Sequence, residues 1–358
     1  MFVELHYPDS LTAQELDNYL ANGWFRMGHS IFTTNFLRFQ DTLYSAIWLR
    51  IDLNTFEKGK NQLKLEKLNS KFRVEIQVAN PSLAHEELFR KYREIMKFDP
   101  APTVQNLLFG YQENRSSLRI YNTFEINIYD AEKLIGTGFF DLGEISSEGI
   151  SCFYDPDYKK YSLGKYLMYL KINFCKENNL RYFYPGYFAP GYHLFDYKLD
   201  LARPSLEYLD FISDKWRSFS EFLPEKTIVN IMAQKLRELS DLLTIRYIKN
   251  EFKYYDFFDA DMIQNLNGLG LFDYPIFLFC FDLDDDTPML PMVIFDIREN
   301  QFHLILCKKV YKSVFEDCLP DHYNAHLLQI SRFLYTGESV DEMAEVIEMY
   351  GRELASIT

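Results

Sequence analysis

Residues 155–177 read DPDYKKYSLGKYLMYLKINFCKE, and how this stretch is divided decides the fold. A polar, turn-rich run stops at Ser162-Leu163-Gly164, and a patterned segment begins. Leu163, Leu167, Leu170 and Phe174 recur at helical spacing and give one apolar stripe. A helix start exposes up to about four unpaired N–H groups and the positive end of its dipole. An anion or a polarised carbonyl fits there, and Gly164 removes the side chain that would block approach. An ordinary strand-to-helix turn with Ser162 as N-cap accounts for the same residues. A lone Ser-Leu-Gly does not choose between the two.

Outward from this point the chain alternates strand and helix signals. LRIYNTFEINIYD (118–130) and KLIGTGFFDLG (133–143) predict a hairpin, and GISCFYD (149–155) a third strand. LRYFYPGY (180–187) is a strand running into a loop. Pro81-Ser82 opens a helix with Leu88, Tyr92 and Ile95 on one face, ending before the prolines of DPAP (99–102). Nearer the start, SLTAQELDNYLANGW (10–24) predicts a helix with a Thr12/Glu15 capping box and an exit at Gly23. SIFTTNFLRF, LYSAIWLRIDL and FRVEIQV are β-rich, and residues 56–73 between them form a lysine-rich helix. Residues 80 to about 200 thus read α, then β-β-β-α-β, the order of a mixed sheet with helices packed on it. From about 211 the pattern restarts. Helices are expected over 211–223 and 226–248, then strands PIFLFCFDL, MVIFDI and FHLILCKK, then two final helices. The division expected is 1–79, 80–210 and 211–358, in an α+β chain.

With 358 residues, 47% of them hydrophobic and 17% aromatic, the chain can build two or three real cores. A formal charge of −14 argues against attraction to DNA or to nucleic acid in general, although a local basic face can still hold RNA. The five cysteines show no C-x-x-C spacing and read as reduced, mostly buried thiols of a cytoplasmic protein. The start MFVELHYPDS has no signal-peptide pattern, and the longest apolar run, near YPIFLFCF, is too short to span a bilayer. His29 and His193 have no ligand-like neighbours, so no metal is expected. DLDDDTP (282–288) lacks the glycine and glutamate of a calcium loop, with Val293 at the twelfth place, and reads as an acidic hairpin loop.

The strand–turn–helix–strand around Ser162 resembles the core of the GNAT acyltransferase fold, a mixed sheet with helices on both faces. The cofactor signature of that fold is Gln or Arg followed by x-x-G-x-G or x-x-G-x-A. Here the run is Tyr161-Ser-Leu-Gly164-Lys165-Tyr166, without the first residue or the second small one, which disfavours a CoA site. A closer resemblance is to the arginyl- and leucyl-tRNA–protein transferases. CFYDPDYKKYSLGKYL (152–167) and YFYPGYFAPGYHLFDYK (182–198) are similar to that family's FFDPD…RSLGTY and YVYLGYWI…KMxYK, in order and spacing. LANGWFRMGHSIFTTN (20–35) resembles its N-terminal G-[WF]-R-R-x-G segment, and LYSAIWLRIDLNTF the segment after it. The similarity spans roughly residues 10–205. Two departures stand out. The family's cysteine cluster is replaced by FTTNFLRF, so any metal or iron–sulfur role of that cluster is absent. Its Y-[WY]-I and K-M positions carry Tyr187-Phe188-Ala189 and Leu194-Phe195.

The resemblance implies a GNAT-like aminoacyltransferase domain with an N-terminal α/β extension and an additional C-terminal α+β region. It implies transfer of an arginyl or leucyl group from charged tRNA, as co-substrate, to a protein N-terminal amine, with no other cofactor. The amine attacks an ester carbonyl, which requires a neutral amine, a donor for the developing oxyanion, and alignment. On this reading the N–H groups of Leu163, Gly164 and Lys165 meet the carbonyl, and Asp155 receives the ammonium or its proton. Trp24, Arg26, Ser162, Tyr187, Tyr197 and Lys198 line the substrate pocket, where Lys198 neutralises a terminal phosphate or an acidic first residue. Lys58, Lys60, Lys64, Lys67 and Lys71 track the tRNA backbone. Each also has a structural reading: helix capping, a turn around Pro156, packing aromatics, and a solvated lysine face. Two other functions fit the same sequence: an acyl-CoA-dependent N-acyltransferase, and a non-catalytic binding protein on the same fold.

Overall fold

A computed structural model describes residues 2–96, 101–110, 120–281, 287–314 and 319–357. The chain divides into two units, one of His6–Thr33 and Ala46–Phe222, the other of Met1–Leu5, Thr34–Ser45 and Leu223–Thr358.

The first unit is built on an eight-stranded sheet. From one edge its strands are Lys215–Ser218, Leu206–Asp210, Ile47–Asp52, Tyr182–Phe188, Ser146–Tyr154, Lys133–Leu142, Thr123–Asp130 and Arg73–Val78. The expected hairpin forms, pairing Thr123 with Asp141 through Asp130 with Lys133. Every neighbouring pair is antiparallel except Ser146–Tyr154 with Tyr182–Phe188, which is parallel. A parallel pair needs a crossover, and the Leu163–Glu177 helix supplies it.

That helix is buried more widely than a single stripe. Leu163, Tyr166 and Leu167 pack with Ile126, Ile128, Ile135 and Phe140. Met168, Tyr169, Ile172 and Cys175 pack with Ile47, Leu49, Ile51 and Phe183. Each fully buried apolar side chain contributes about 1.5–3 kcal/mol. The helix therefore fastens both arms of the sheet, one on each side of the parallel pair. On the opposite face the Leu83–Arg93 helix sets Leu88 and Phe89 against Leu134, Phe139 and Phe153.

The N-terminal helix, Ala13–Ala21, carries the expected Thr12/Glu15 capping box, and Gly23 leaves it with φ +74°. Other expectations change. Residues 211–223 are not a helix. Leu206–Asp210 and Lys215–Ser218 form a hairpin whose turn is held by the Asp210 carboxylate, which accepts from the Ser213 N–H and hydroxyl. A local bond of this kind diverts the chain from helix to turn. The Leu83–Arg93 helix ends before Ile95, which is exposed rather than on the apolar face.

In the second unit six strands run in the order His322–Tyr323, Glu251–Tyr255, Ile276–Phe279, Met289–Asp296, Gln301–Lys312 and His326–Gly337. Helices Ile228–Ile245 and Val340–Ile357 pack on them. Of the two final helices expected, one is this closing helix. The segment before it is a strand that pairs along Gln301–Lys312, from Phe302 with Gly337 to Lys312 with His326. Residues 282–286 of the acidic DLDDDTP stretch lie outside the described residues.

Candidate functional site

The parallel pair does not stay together. Ser146, Ser147 and Glu148 register with Tyr182, Phe183 and Tyr184, and the pairing stops there. On one strand a bulge falls between Gly149 and Ser151. On the other, Pro185 has no N–H to extend the ladder, and Gly186 takes φ +87° as the strand shifts register against Ile47–Asp52. The strands part, and a cavity of about 380 Å³ opens between Gly149–Cys152 and Pro185–Tyr187.

Its floor is Met168 and Lys171 of the crossover helix. Phe25 and Arg26 of the Phe25–Met27 strand, Phe32 of the Ser30–Thr34 strand paired with it, Trp48 and Phe89 add walls, and Leu194, Phe195, Tyr197 and Lys198 close one side. Among the described residues, Glu148 is the lining carboxylate.

Lys171 is fully buried and explains the bulge. Its Nζ donates to Phe139 O at 2.7 Å and to Ser151 O at 2.8 Å, two carbonyls beside the break in the ladder. Gly138 makes room for it, since a Cβ there would lie 2.9 Å from Lys171 Cε.

Lys198 lies 8% exposed, with Nζ donating to Tyr187 O at 2.6 Å and set over the Phe195 ring at 4.9 Å. No carboxylate pairs with it among the described residues. Burial therefore pushes its ammonium down to about 7. Glu148 is 1% exposed. One oxygen accepts from the Arg26 N–H at 3.2 Å, and Oε1 has no partner among the described residues. Burial, then the charge of Asp141, push its carboxyl up to about 8, against the Arg26 N–H bond and charge.

Arg26 answers the question its burial raises. Nη1 bonds both carboxylate oxygens of fully buried Asp141 at 2.9 Å and Thr123 Oγ1 at 2.8 Å, and Nε bonds Gly28 O at 2.8 Å. Nη2 reaches Leu108 O, and the guanidinium lies over the Tyr121 ring. Its charge is committed to the protein while its main chain holds Glu148.

The cavity thus gathers Arg26, Tyr187, Tyr197 and Lys198 from the residues read as a substrate pocket. It does not gather Trp24, Ser162, Leu163, Gly164, Lys165 or Asp155. Trp24 packs against His6, with ring centroids 4.2 Å apart and planes tilted by 33°. Ser162 is the N-cap residue, yet it is left-handed at φ 50°, ψ 45° and makes no side-chain cap bond. Leu163 is fully buried, and the Tyr154 ring stands 3.3 Å from where a Cβ on Gly164 would be. Lys165 lies 3.7 Å from Asp200. Asp155 is bound by Lys133 at 2.7 Å and Lys91 at 3.1 Å. Burial would raise its carboxyl, but Lys133, the Asp157 N–H and Lys91 outweigh that and hold it below the usual range. Lys58, Lys60, Lys64, Lys67 and Lys71 are all exposed on and around the Lys60–Asn69 helix. Lys58 pairs with Glu66 at 2.9 Å, and Lys71 donates to the Tyr161 hydroxyl at 2.8 Å. Sequence reading missed Glu148, Lys171 and Trp48. Glycines inside strands (Gly138, Gly149) and Pro185-Gly186 were the available signal, because they mark bulges and close approach.

Comparison with known proteins supplies the class. Residues 84–208 match the family described as arginine-tRNA-protein transferase, C terminus. An aspartate/glutamate leucyltransferase of Leptospira interrogans is 28% identical over 194 residues, covering 54% of this chain and 74% of that protein. One of Campylobacter jejuni is 28% identical over 199 residues, 55% of this chain and 82% of that protein. Among solved structures, L-PGS from Bacillus licheniformis overlaps 40% of this chain and 46% of its own at 13% identity, with a TM-score of 0.30. The family match and the curated relatives define an aminoacyltransferase. Over this part of its length the chain is similar to the aminoacyl-tRNA–protein transferases.

Proposed function

We propose that the protein moves a leucyl group from charged tRNA to the N-terminal amine of a protein whose first residue is acidic, and that the reaction takes place between the parted strands. The observation that carries this is the cavity itself, opened by Gly149, Pro185 and Gly186 and lined by buried ionisable groups, among them Glu148 and Lys198, that have no ion-pair partner among the described residues. The ester is already activated, so enclosure and alignment supply much of the rate.

Leucyl is favoured over arginyl on two grounds. The relatives bear the name leucyltransferase. The lining, with Phe25, Phe32, Trp48, Phe89 and Met168, suits an apolar side chain. An acidic first residue is favoured because Lys198 is held in the cavity without a counter-ion among the described residues, and an Asp or Glu side chain would provide one. Lys60, Lys64 and Lys67, exposed along one helix, are the proposed track for the tRNA backbone.

The test is direct. The full chain is incubated with labelled leucyl-tRNA or arginyl-tRNA and peptides beginning with Asp or Arg. Leucine is expected on the Asp peptide, and Lys198→Met is expected to weaken that peptide's binding selectively. Absence of transfer from both charged tRNAs would overturn the reading.

A further inference from the structure

We infer that Glu148 is the proton shuttle of the reaction, taking a proton from the attacking amine and returning it to the departing tRNA oxygen. This rests on the transfer reaction proposed above and goes beyond it, since neither the chain's resemblances nor its relatives' names assign this residue a role.

Three observations carry it. Glu148 occupies the last paired position before the strands part, opposite Tyr184, so it sits at the apex of the opening. Its Oε2 is fixed by the Arg26 N–H, which leaves Oε1 as the buried oxygen without a partner among the described residues. It is the cavity's lining carboxylate among the described residues, and the other carboxylate nearby, Asp141, is consumed by Arg26. A buried polar atom without a partner costs free energy and calls for a ligand that satisfies it.

The groups that face Glu148 set its behaviour. Arg26 and Asp141 lie closest, Tyr121 is coupled to it electrostatically, Tyr184 is its register partner, and Lys171 and Lys198 share the cavity. A carboxyl brought to about 8 is matched to an N-terminal amine, whose ordinary pKa is about 8, so proton exchange between them is close to even. The step balances without a co-reactant. The neutral amine attacks the ester carbon and the C–N bond forms. One of the two N–H protons passes to Oε1, and the other stays on the amide nitrogen. The C–O bond to the tRNA ribose breaks, and that oxygen takes the proton from Glu148. An amide, a tRNA hydroxyl and the original carboxylate result.

The experiment follows kcat/KM for an Asp-initiated peptide with leucyl-tRNA against pH. Below pH 7 the wild type must lose one proton from the amine and one from Glu148, so log kcat/KM should rise with a slope of two. Glu148→Gln keeps the shape and the Arg26 contact but carries no proton. It should lower kcat by about 100-fold with KM unchanged, and its slope should fall to one. Glu148→Asp should recover part of kcat and the slope of two. A wild-type slope of one, or a Glu148→Gln protein that keeps a slope of two or loses only KM, overturns the inference. If Glu148→Gln does not fold, the wild-type and Glu148→Asp slopes decide alone. Wild-type protein that transfers nothing from leucyl- or arginyl-tRNA overturns the proposed function instead, a result distinct from transfer with the wrong slope.

Discussion

Replacing Lys171 with Met tests the reason the cavity exists. Methionine keeps most of the side-chain volume and removes Nζ, which donates to Phe139 O at 2.7 Å and Ser151 O at 2.8 Å in a fully buried position. Hydrogen bonds from a charged donor contribute roughly 1.5–3 kcal/mol each, and a buried carbonyl left alone costs about 1–3 kcal/mol. Against this, the desolvation of an ammonium, several kcal/mol, disappears with the charge. Because both acceptors stay in place, the change resembles removing one side of a buried pair, for which about 3–5 kcal/mol is usual. The acceptors are neutral carbonyls rather than charges, so the loss falls below that range, at about 2–3 kcal/mol. In a unit of this size 1 kcal/mol shifts Tm by roughly 2–4 °C, so a fall of about 5–10 °C is expected. Thermal unfolding measures it, and amide exchange across Gly149–Cys152 should accelerate before that of the Thr123–Asp130 strand. A variant that melts within about 1 °C of the wild type, or above it, would refute the claim that Lys171 pins the bulge.

Two further outcomes follow from the same cavity. Lys198 must be charged to meet a carboxylate, and burial holds it down to about 7, so affinity for an Asp-initiated peptide should be full below pH 7 and fall by about tenfold per pH unit above it. Calorimetry between pH 6 and 9 checks this, and a flat profile would exclude Lys198 as the reader of the acidic residue. Glu148 titrates at about 8 when folded against an ordinary 4.5, so its contribution to stability is complete below 4.5 and is lost as pH rises through 8. Urea unfolding at pH 9 should find Glu148→Gln more stable than the wild type, and equal stability at that pH would contradict the burial argument.

The eight-stranded sheet was legible because its signals are local and agree with one another. Thr12 with Glu15, the alternation across 123–142, and the 163–174 stripe each specify one structure by short-range chemistry. The failures have a different cause. Residues 211–223 contain enough apolar and charged residues to look helical, yet Asp210 captures Ser213 and turns the chain into a hairpin. The strand His326–Gly337 exists because Gln301–Lys312 lies beside it, a partner that periodicity cannot reveal.

The site was legible in a way that local motifs could not rank. The Ser-Leu-Gly turn drew the reading because a helix start is a recognisable anion site, yet Leu163 is buried and the turn sends no residue into the cavity. The defining feature is instead a failure of pairing. Two adjacent parallel strands hold three registered residues each and then separate. The sequence carries the cause on both strands, Gly149 on one and Pro185-Gly186 on the other, but neither signal has meaning until the strands are known to be neighbours. Where they part, a carboxyl and an ammonium that would be paired or solvated elsewhere lie buried, with no ion-pair partner among the described residues. Glu148 and Lys198 are displaced toward each other in proton affinity, to about 8 and about 7, by the same loss of water. That common origin ties architecture to chemistry: the place where the ladder stops is also the place where a carboxyl and an ammonium are held out of water within one cavity.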